Sequence, residues 1–474
     1  MGGETIIKRG SVAAGAPGIV VSPVVPAVKS SDAYLWYVVA FLTVAATVSI
    51  VDRQILALMI GPVKRDLGVS DTMMGLLGGL AFTLFYTFLT LPMAWLADQS
   101  SRRRIIGWGI FFWSLATIGC GLASRFGQLF FARMCVGVGE ATLQPAAISL
   151  MSDYFDRAKL PLALGIFSAS PFVGVGLANI LGGSVVQHLE ALDVINLPLI
   201  GTVRSWQAMF IIVGTPGIVL ALLTLTIREP ARRGMALAAA AGAPATIDRA
   251  AIMALLRSRG RFLTYHFIAY TALAVQGWAL FYWVVEFFIR EHGATRAETG
   301  LTFGTIALVF GTIGSIISGI LSGRMMRAGR PDATLRLVLA AALLLIPVGI
   351  AAPLVSGFWP AMGLFAVAMF FMGWPTGLGT AALQFIVPNE LRGRIIALYL
   401  VVVNFLSYSL GPLLGGLISD QVFDGKSLGS TLALMAVVNY PLGAFFVWRS
   451  LPHFRAALLN SEKWRDDQPI VRAH

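Results

Sequence analysis

Apolar runs about as long as a bilayer-crossing helix recur along nearly the whole chain, separated by short polar stretches. A spanning helix needs about 20 mostly apolar residues. The pattern predicts about twelve such helices, near 34–60, 73–97, 104–123, 126–151, 160–187, 206–227, 262–289, 300–322, 334–354, 359–387, 394–419 and 429–449. Few charges interrupt these runs, and four of them, Asp52, Arg53, Arg133 and Glu140, fall in the first and fourth. An ionisable group inside a membrane helix is costly and is retained where it faces a cavity, a partner or a proton path.

Composition agrees with the pattern. Of 474 residues 57% are hydrophobic and 12% charged, with a mean hydropathy of +0.79, whereas soluble domains run near 25% charged. The net charge of +12 reflects topology rather than a nucleic-acid partner, because 26 of the 35 Lys and Arg residues fall in one alternate set of loops and tails. The positive-inside rule then puts both termini in the cytoplasm of a cell (inner or plasma) membrane protein. Cys120 and Cys135 lie within apolar spans, so no disulfide framework is expected. Residues 1–33 read as a disordered cytoplasmic tail, since Pro17, Pro23 and Pro26 interrupt the patch after Lys8 and Arg9.

The longest loop divides the chain into two sets of six spans. The expected organisation is a bundle over 34–228, a cytoplasmic linker over 229–260, a second bundle over 261–451 and a cytoplasmic tail over 452–474. Within the linker, Thr246 to Arg259 has an N-cap and helical apolar spacing, which predicts a short amphipathic helix at the membrane surface. The halves echo each other: Leu96 to Arg104 after the second span matches Leu321 to Arg330 after the eighth, and Leu181-Gly-Gly183 matches Leu414-Gly-Gly416. Repeated halves with a site between them are a common plan of secondary transporters.

Helical rise gives a depth for the charges. Asp52 and Arg133 each lie eight residues from the same end of their spans, roughly 12 Å below that surface. Glu140 follows Arg133 by seven residues on the same face, roughly 10 Å deeper, with Gly137 between them. Arginine stays charged, so Asp52 and Glu140 are the groups able to exchange protons, with Arg53 and Arg133 as charge partners and head-group ligands. A movement that separates a carboxylate from its arginine favours proton uptake and so couples protons to conformation.

Several motifs extend this reading. PMAWLADQSSRRR at 92–104 resembles the signature loop of the major facilitator superfamily, with Asp98, Arg102 and Arg103 on its acidic and basic positions and Ala94 in place of the usual glycine. RMCVGVGEA at 133–141 and SASPFVGVG at 168–176 are similar to that superfamily's fourth and fifth helices. VDRQ at 51–54 together with GVGEA at 137–141 resembles the Spinster branch, whose members move sphingosine phosphate and related lysolipids. The resemblance implies an all-α integral membrane fold of twelve helices in two pseudo-symmetric six-helix bundles. It also implies a cytoplasmic gating latch from Asp98, Arg102 and Arg103 to the start of the eleventh span.

No Walker loop, paired-His motif or Cys/His set of convincing spacing is found, so neither an enzyme nor a metal or organic cofactor is expected. The reading is a proton-coupled secondary active transporter working by alternating access, driven by the proton gradient. Its expected cargo is a lipid-like amphiphile such as a sphingoid phosphate or lysophospholipid. The expected partners are membrane lipids, that substrate and protons, with the chain a monomer. Gly137, Asn179, Trp278, Tyr282, Gln384, Tyr399 and Asn404 are candidate cavity-lining residues, while His266, Glu286 and Asn439 are weaker polar candidates. A drug, organic-ion or nutrient carrier of the same superfamily is the alternative, followed by a scramblase or a lipid-binding receptor.

Overall fold

The computed structural model describes residues 31–155, 159–192, 194–197, 201–230, 249–387 and 389–466. Helix α1, Asp32–Leu58, begins where the Ser31 hydroxyl accepts the Tyr34 amide, and a short α2, Ile60–Leu67, ends at Gly68 in the left-handed region (φ 62°). The second span consists of α3, Asp71–Gly78, and α4, Leu80–Gln99, and α5 covers Arg102–Gly121. The fourth is split into α6, Phe126–Glu140, and α7, Leu143–Tyr154; the fifth into α8, Leu160–Ser168, and α9, Ser170–Glu190. An antiparallel hairpin of β1, Val194–Leu197, and β2, Gly201–Arg204, leads into α10, Ser205–Leu223.

The second half contains α11, Arg249–His292; α12, Arg296–Ile306, joined by a π turn at Ala307–Gly311 to α13, Thr312–Arg327; α14, Ala333–Ala351; α15, Phe358–Ile386; α16, Asn389–Phe423; and α17, Leu428–Asp466. Among the described residues eleven helical stretches are long and apolar enough to cross a membrane. The interrupted pair α6 and α7 occupies the predicted fourth span, each piece being too short alone. Among the described residues the fold is all-α apart from the hairpin, which hydropathy alone did not reveal.

Two boundaries differ from the expectation. The surface helix predicted at 246–259 is, from Arg249 onward, the first part of the 44-residue α11. Gly260 is the weakest helix former across that junction, and one isolated glycine costs only about 1 kcal/mol; residues 246–248 lie outside the described set. At the other end α17 continues through Pro452 to Asp466, so most of the predicted tail is helical.

Packing separates the halves and then joins them. α1 packs on α9, α5 on α10 and α6, and α4 on α6, whereas α11 packs on α16 and α17, and α14 on α15 and α17. The apolar core of the first bundle continues into the second at Trp283, Phe287 and Phe288 of α11, Phe303 of α12, Phe365 of α15 and Leu428 of α17, while another part of the second bundle has its own core. The bundles meet where α3 and α4 lie against α16 and where α9 lies against α12. Glycines permit these contacts: a Cβ on Gly75 would sit 2.4 Å from the Pro412 carbonyl oxygen, and one on Gly300 2.3 Å from that of Asn179.

Candidate functional site

Helix α6 is wedged between α4 and α5 by two glycines. A Cβ at Gly137 would lie 2.3 Å from the Phe82 carbonyl oxygen, and one at Gly139 would lie 2.7 Å from Trp113. This approach carries Glu140 to α1, where Arg53 Nε donates to Glu140 Oε2 at 2.6 Å and the Ser49 hydroxyl donates to the same oxygen at 2.6 Å. Ser49 and Arg53 are one helical turn apart and share a face. The Arg53 guanidinium carbon lies 4.4 Å from the Phe82 ring centre and 4.6 Å from that of Tyr86. Tyr408, from α16 of the other bundle, stands 5.9 Å away and packs edge-on against Trp278 at 4.2 Å. A desolvated arginine gains from such aromatic faces. Oε1 of Glu140 is buried and has no hydrogen-bond partner among the described residues.

Asp52, the neighbour of Arg53, points elsewhere. Its Oδ2 accepts the Thr117 hydroxyl at 2.5 Å and its Oδ1 has no partner. Arg133 does reach α1, as the depth argument requires, but it donates to the backbone carbonyls of Asp52 and Arg53, each at 3.4 Å. It is 1% exposed. The four charges therefore form a pair, Arg53 with Glu140, and a second set in which Arg133 braces the backbone beneath it.

A second ionic cluster joins the bundles on the face away from the termini. Arg290 of α11 grips Asp71 of α3 through both carboxylate oxygens, at 2.8 and 2.9 Å, while Lys64 and Ser419 add bonds of 2.6 and 2.8 Å. Asp420 of α16 accepts the Thr72 amide and hydroxyl, at 2.7 and 2.6 Å, at the positive N-terminus of α3. Glu286 holds Arg290 at 2.8 Å and Arg296 at 3.5 Å, and Tyr282 donates to the Met74 carbonyl at 2.6 Å. Bidentate, charge-assisted bonds of this kind are among the strongest in proteins. The sequence marks these residues as charges near span ends, and the signal that was missed is that Asp71 is complementary to Lys64 and Arg290 yet fully buried.

The Major Facilitator Superfamily model matches residues 42–412. The chain belongs to that superfamily. An MFS-type efflux pump of Mycolicibacterium smegmatis is 26% identical over 90% of this chain and 95% of that protein. Protein spinster homolog 1 of Xenopus tropicalis is 26% identical over 84% of this chain and 77% of that protein. Among solved structures, a bacterial homologue of the human lysosomal transporter Spinster, in an inward-facing and occupied conformation, aligns with a TM-score of 0.74 at 24% identity, covering 93% of this chain and all of that one. The superfamily fold and the Spinster resemblance found in the motifs are thus both met.

The superfamily's signature loop has local partners. Arg102, almost fully buried, bonds Asp153 of α7, Glu229 at 2.8 Å and the Pro230 carbonyl at 3.1 Å. The Arg103 amide donates to Glu229 at 2.9 Å. Burial raises the Glu229 carboxyl, but the bonds from the Arg103 amide, Arg102 and Ser101 outweigh it and hold the group below the usual glutamate value. These partners lie on α7 and on the segment 227–230 that leads out of the first bundle, and the side chains of residues 389, 390, 392 and 393 at the start of α16 lie outside the described residues. The Asp98 side chain lies outside the described residues.

The remaining candidates scatter. Trp278 joins the centre through Tyr408, whereas Tyr282 belongs to the clasp. Asn179 bonds back to the Val175 carbonyl at 2.8 Å. Tyr399 is buried against His266 and Tyr270 inside the second bundle. Gln384 is exposed and Asn404 half-buried, neither having a side-chain bond to the charged centre. Asn439 bonds Gln276 at 3.4 Å between α17 and α11. Gly137 admits a helix, and no group of three or more metal-ligating side chains occurs among the described residues.

Proposed function

We propose that the protein is a proton-coupled carrier of an anionic amphiphile, with Arg53 as the head-group ligand and Glu140 as the proton site. The observation that carries this reading is the buried Arg53–Glu140 pair enclosed by Phe82, Tyr86 and, from the opposite bundle, Tyr408. Protonating Glu140 neutralises the one carboxylate that occupies Arg53, and the freed guanidinium then takes an anionic head through paired hydrogen bonds. Proton and anion favour each other's binding by linkage. Asp52 is a second proton site, and Arg133 keeps the backbone of both acidic and basic residues in place.

In this reading the termini are cytoplasmic, and the Asp71–Arg290 clasp is the outer gate, closed in this conformation. Selectivity lies in the head group. A tail gains about 0.8 kcal/mol per methylene on leaving water, but little of that on leaving a bilayer in which it was already dry. The protein works as a monomer with no cofactor beyond the proton gradient. Drug efflux is the second reading, favoured by the extent of the similarity to the mycobacterial pump.

The two are separated in vesicles with an imposed pH gradient, offering sphingoid phosphates, lysophospholipids, hydrophilic sugars and cationic drugs. Saturable, gradient-dependent movement of phosphorylated over dephosphorylated sphingoid bases is the expected result. Equal transport of the two, or a preference for cations or sugars, would overturn the proposal.

A further inference from the structure

On the termini face, α11 and α17 lie antiparallel, and their outer groove carries positive charge that has no carboxylate partner among the described residues. Arg257, Arg261 and Tyr265 recur every four residues along α11 and share a face, as do Arg449 and His453 on α17. Tyr265 connects the two rows: the Arg449 guanidinium carbon lies 6.0 Å from its ring centre and the His453 ring lies 5.7 Å away. Arg257, Arg261 and Arg449 are exposed, and among the described residues none is paired with a carboxylate. Asp332, the nearby acid of this bundle, is already held by Arg336 at 2.8 Å and by Arg455 at 2.5 Å. Further along the two helices the groove becomes apolar, with Ile268 and Phe445 37% and 51% exposed.

We propose that this groove docks an anionic phospholipid of the surrounding bilayer, its phosphate on Arg257, Arg261 and Arg449 and its acyl chains along Ile268 and Phe445. Basic residues are common at this end of the spans, but here three arginines without a carboxylate partner among the described residues gather on one seam directly above exposed apolar side chains of the same two helices. Charge and apolar surface together, at successive depths on the same pair of helices, match a headgroup and its tails. Arginine suits phosphate because its donors are fixed in a plane. Each such residue near an anionic lipid is worth roughly a fivefold preference.

The test uses the full chain in nanodiscs of phosphatidylcholine with a minority of phosphatidylglycerol, reading retained lipid by native mass spectrometry. Phosphatidylglycerol should be enriched over its bulk share. The variant Arg257→Gln/Arg261→Gln/Arg449→Gln should lose that enrichment, and Arg449→Gln alone should lower it roughly fivefold. The matched variant Arg324→Gln/Arg327→Gln/Arg330→Gln, which removes equal charge from the end of α13, should retain it. Equal losses in both triple variants would reduce the effect to diffuse electrostatics and overturn the site. Displacement of the lipid by soluble glycerol phosphate would overturn it in favour of a small anion.

Discussion

The two six-helix bundles share a plan and differ in their interiors. The first breaks three of its six spans, at Gly79, Ala141 to Thr142 and Ala169, and places Asp52, Arg133 and Glu140 inside with the half-buried Arg53. The second runs its helices almost without a break, the π turn at Ala307–Gly311 excepted, and fills its interior with rings around His266. In the first bundle a buried side chain reaches backbone groups of a neighbouring helix, as Arg133 does at the Asp52 and Arg53 carbonyls of α1. Continuous apolar helices give a stiff wall. The central buried charges therefore belong to the first bundle, and the second contributes Tyr408 and Trp278 on the face turned toward them.

The largest effect should come from dividing the central pair. Arg53→Ala leaves Glu140 buried without its cation, and losing one partner of a buried pair costs about 3–5 kcal/mol. Glu140→Gln should abolish gradient-driven uptake while leaving folded protein in the membrane. Replacing both residues with Met should recover much of the stability but none of the transport, because an apolar pair of similar volume replaces a buried ion pair at little net cost. Thermal unfolding and vesicle uptake of the three variants check this. Wild-type pH dependence in Glu140→Gln would move the charge handling elsewhere.

Next in size is the clasp. Asp71→Asn removes the charge that Arg290 and Lys64 share, and hydrogen bonds to charged groups contribute about 1.5–3 kcal/mol each. The bundles should part more readily on the face away from the termini. A cysteine placed at Thr72 should then react with a membrane-impermeant reagent roughly tenfold faster or more than in the parent. An unchanged rate would mean that the small-residue contacts at Gly75 and Gly300, rather than the ions, hold this face shut.

Much of this difference was readable in the chain. Apolar runs fixed the spans, because a bilayer admits few alternatives to a continuous helix, and the depth of Asp52, Arg133 and Glu140 followed from helical rise. Pairing did not follow. Periodicity places Glu140 near α1 but cannot tell which of two adjacent residues, Asp52 or Arg53, turns toward it, since that depends on how closely Gly137 and Gly139 let α6 approach. The clasp was obscured for a related reason: Asp71, Glu286 and Arg290 sit at span ends, where charges are ordinarily solvated. Only tertiary contact buries Asp71. The break at Ala141 to Thr142 and the hairpin leave no mark on hydropathy.

Rim carboxylates offer a smaller test. Glu229 in the first bundle and Asp332 in the second are both raised by burial and lowered further by their hydrogen bonds, ending below their usual values. A carboxyl depressed on folding stabilises the protein above its ordinary pKa, and this contribution is lost as pH falls through the folded value. Acid should therefore loosen both rims. Glu229→Gln should remove more of this acid sensitivity than Asp332→Asn, because Arg102 is almost fully buried whereas Arg336 and Arg455 are 45% and 49% exposed, and exposed pairs contribute about 0–1 kcal/mol. Hydrogen exchange at the helix ends between neutral and acid pH would measure the two.

The smallest effect is expected at His266, the second bundle's one fully buried imidazole. Both its ring nitrogens lack a well-formed hydrogen bond, the Gly379 backbone being the polar group they approach. The ring itself is packed against Tyr270 at 4.2 Å and Phe262 at 5.2 Å. His266→Phe keeps the aromatic packing and removes two buried polar atoms whose desolvation is uncompensated, a change that should be neutral or stabilising by about 1 kcal/mol. If the second bundle is a wall and not a proton carrier, the pH profile of uptake stays where it was. A shifted profile in this variant, with Tyr270 and Tyr399 unaltered, would give the second bundle a proton site of its own and end the division of labour between the halves.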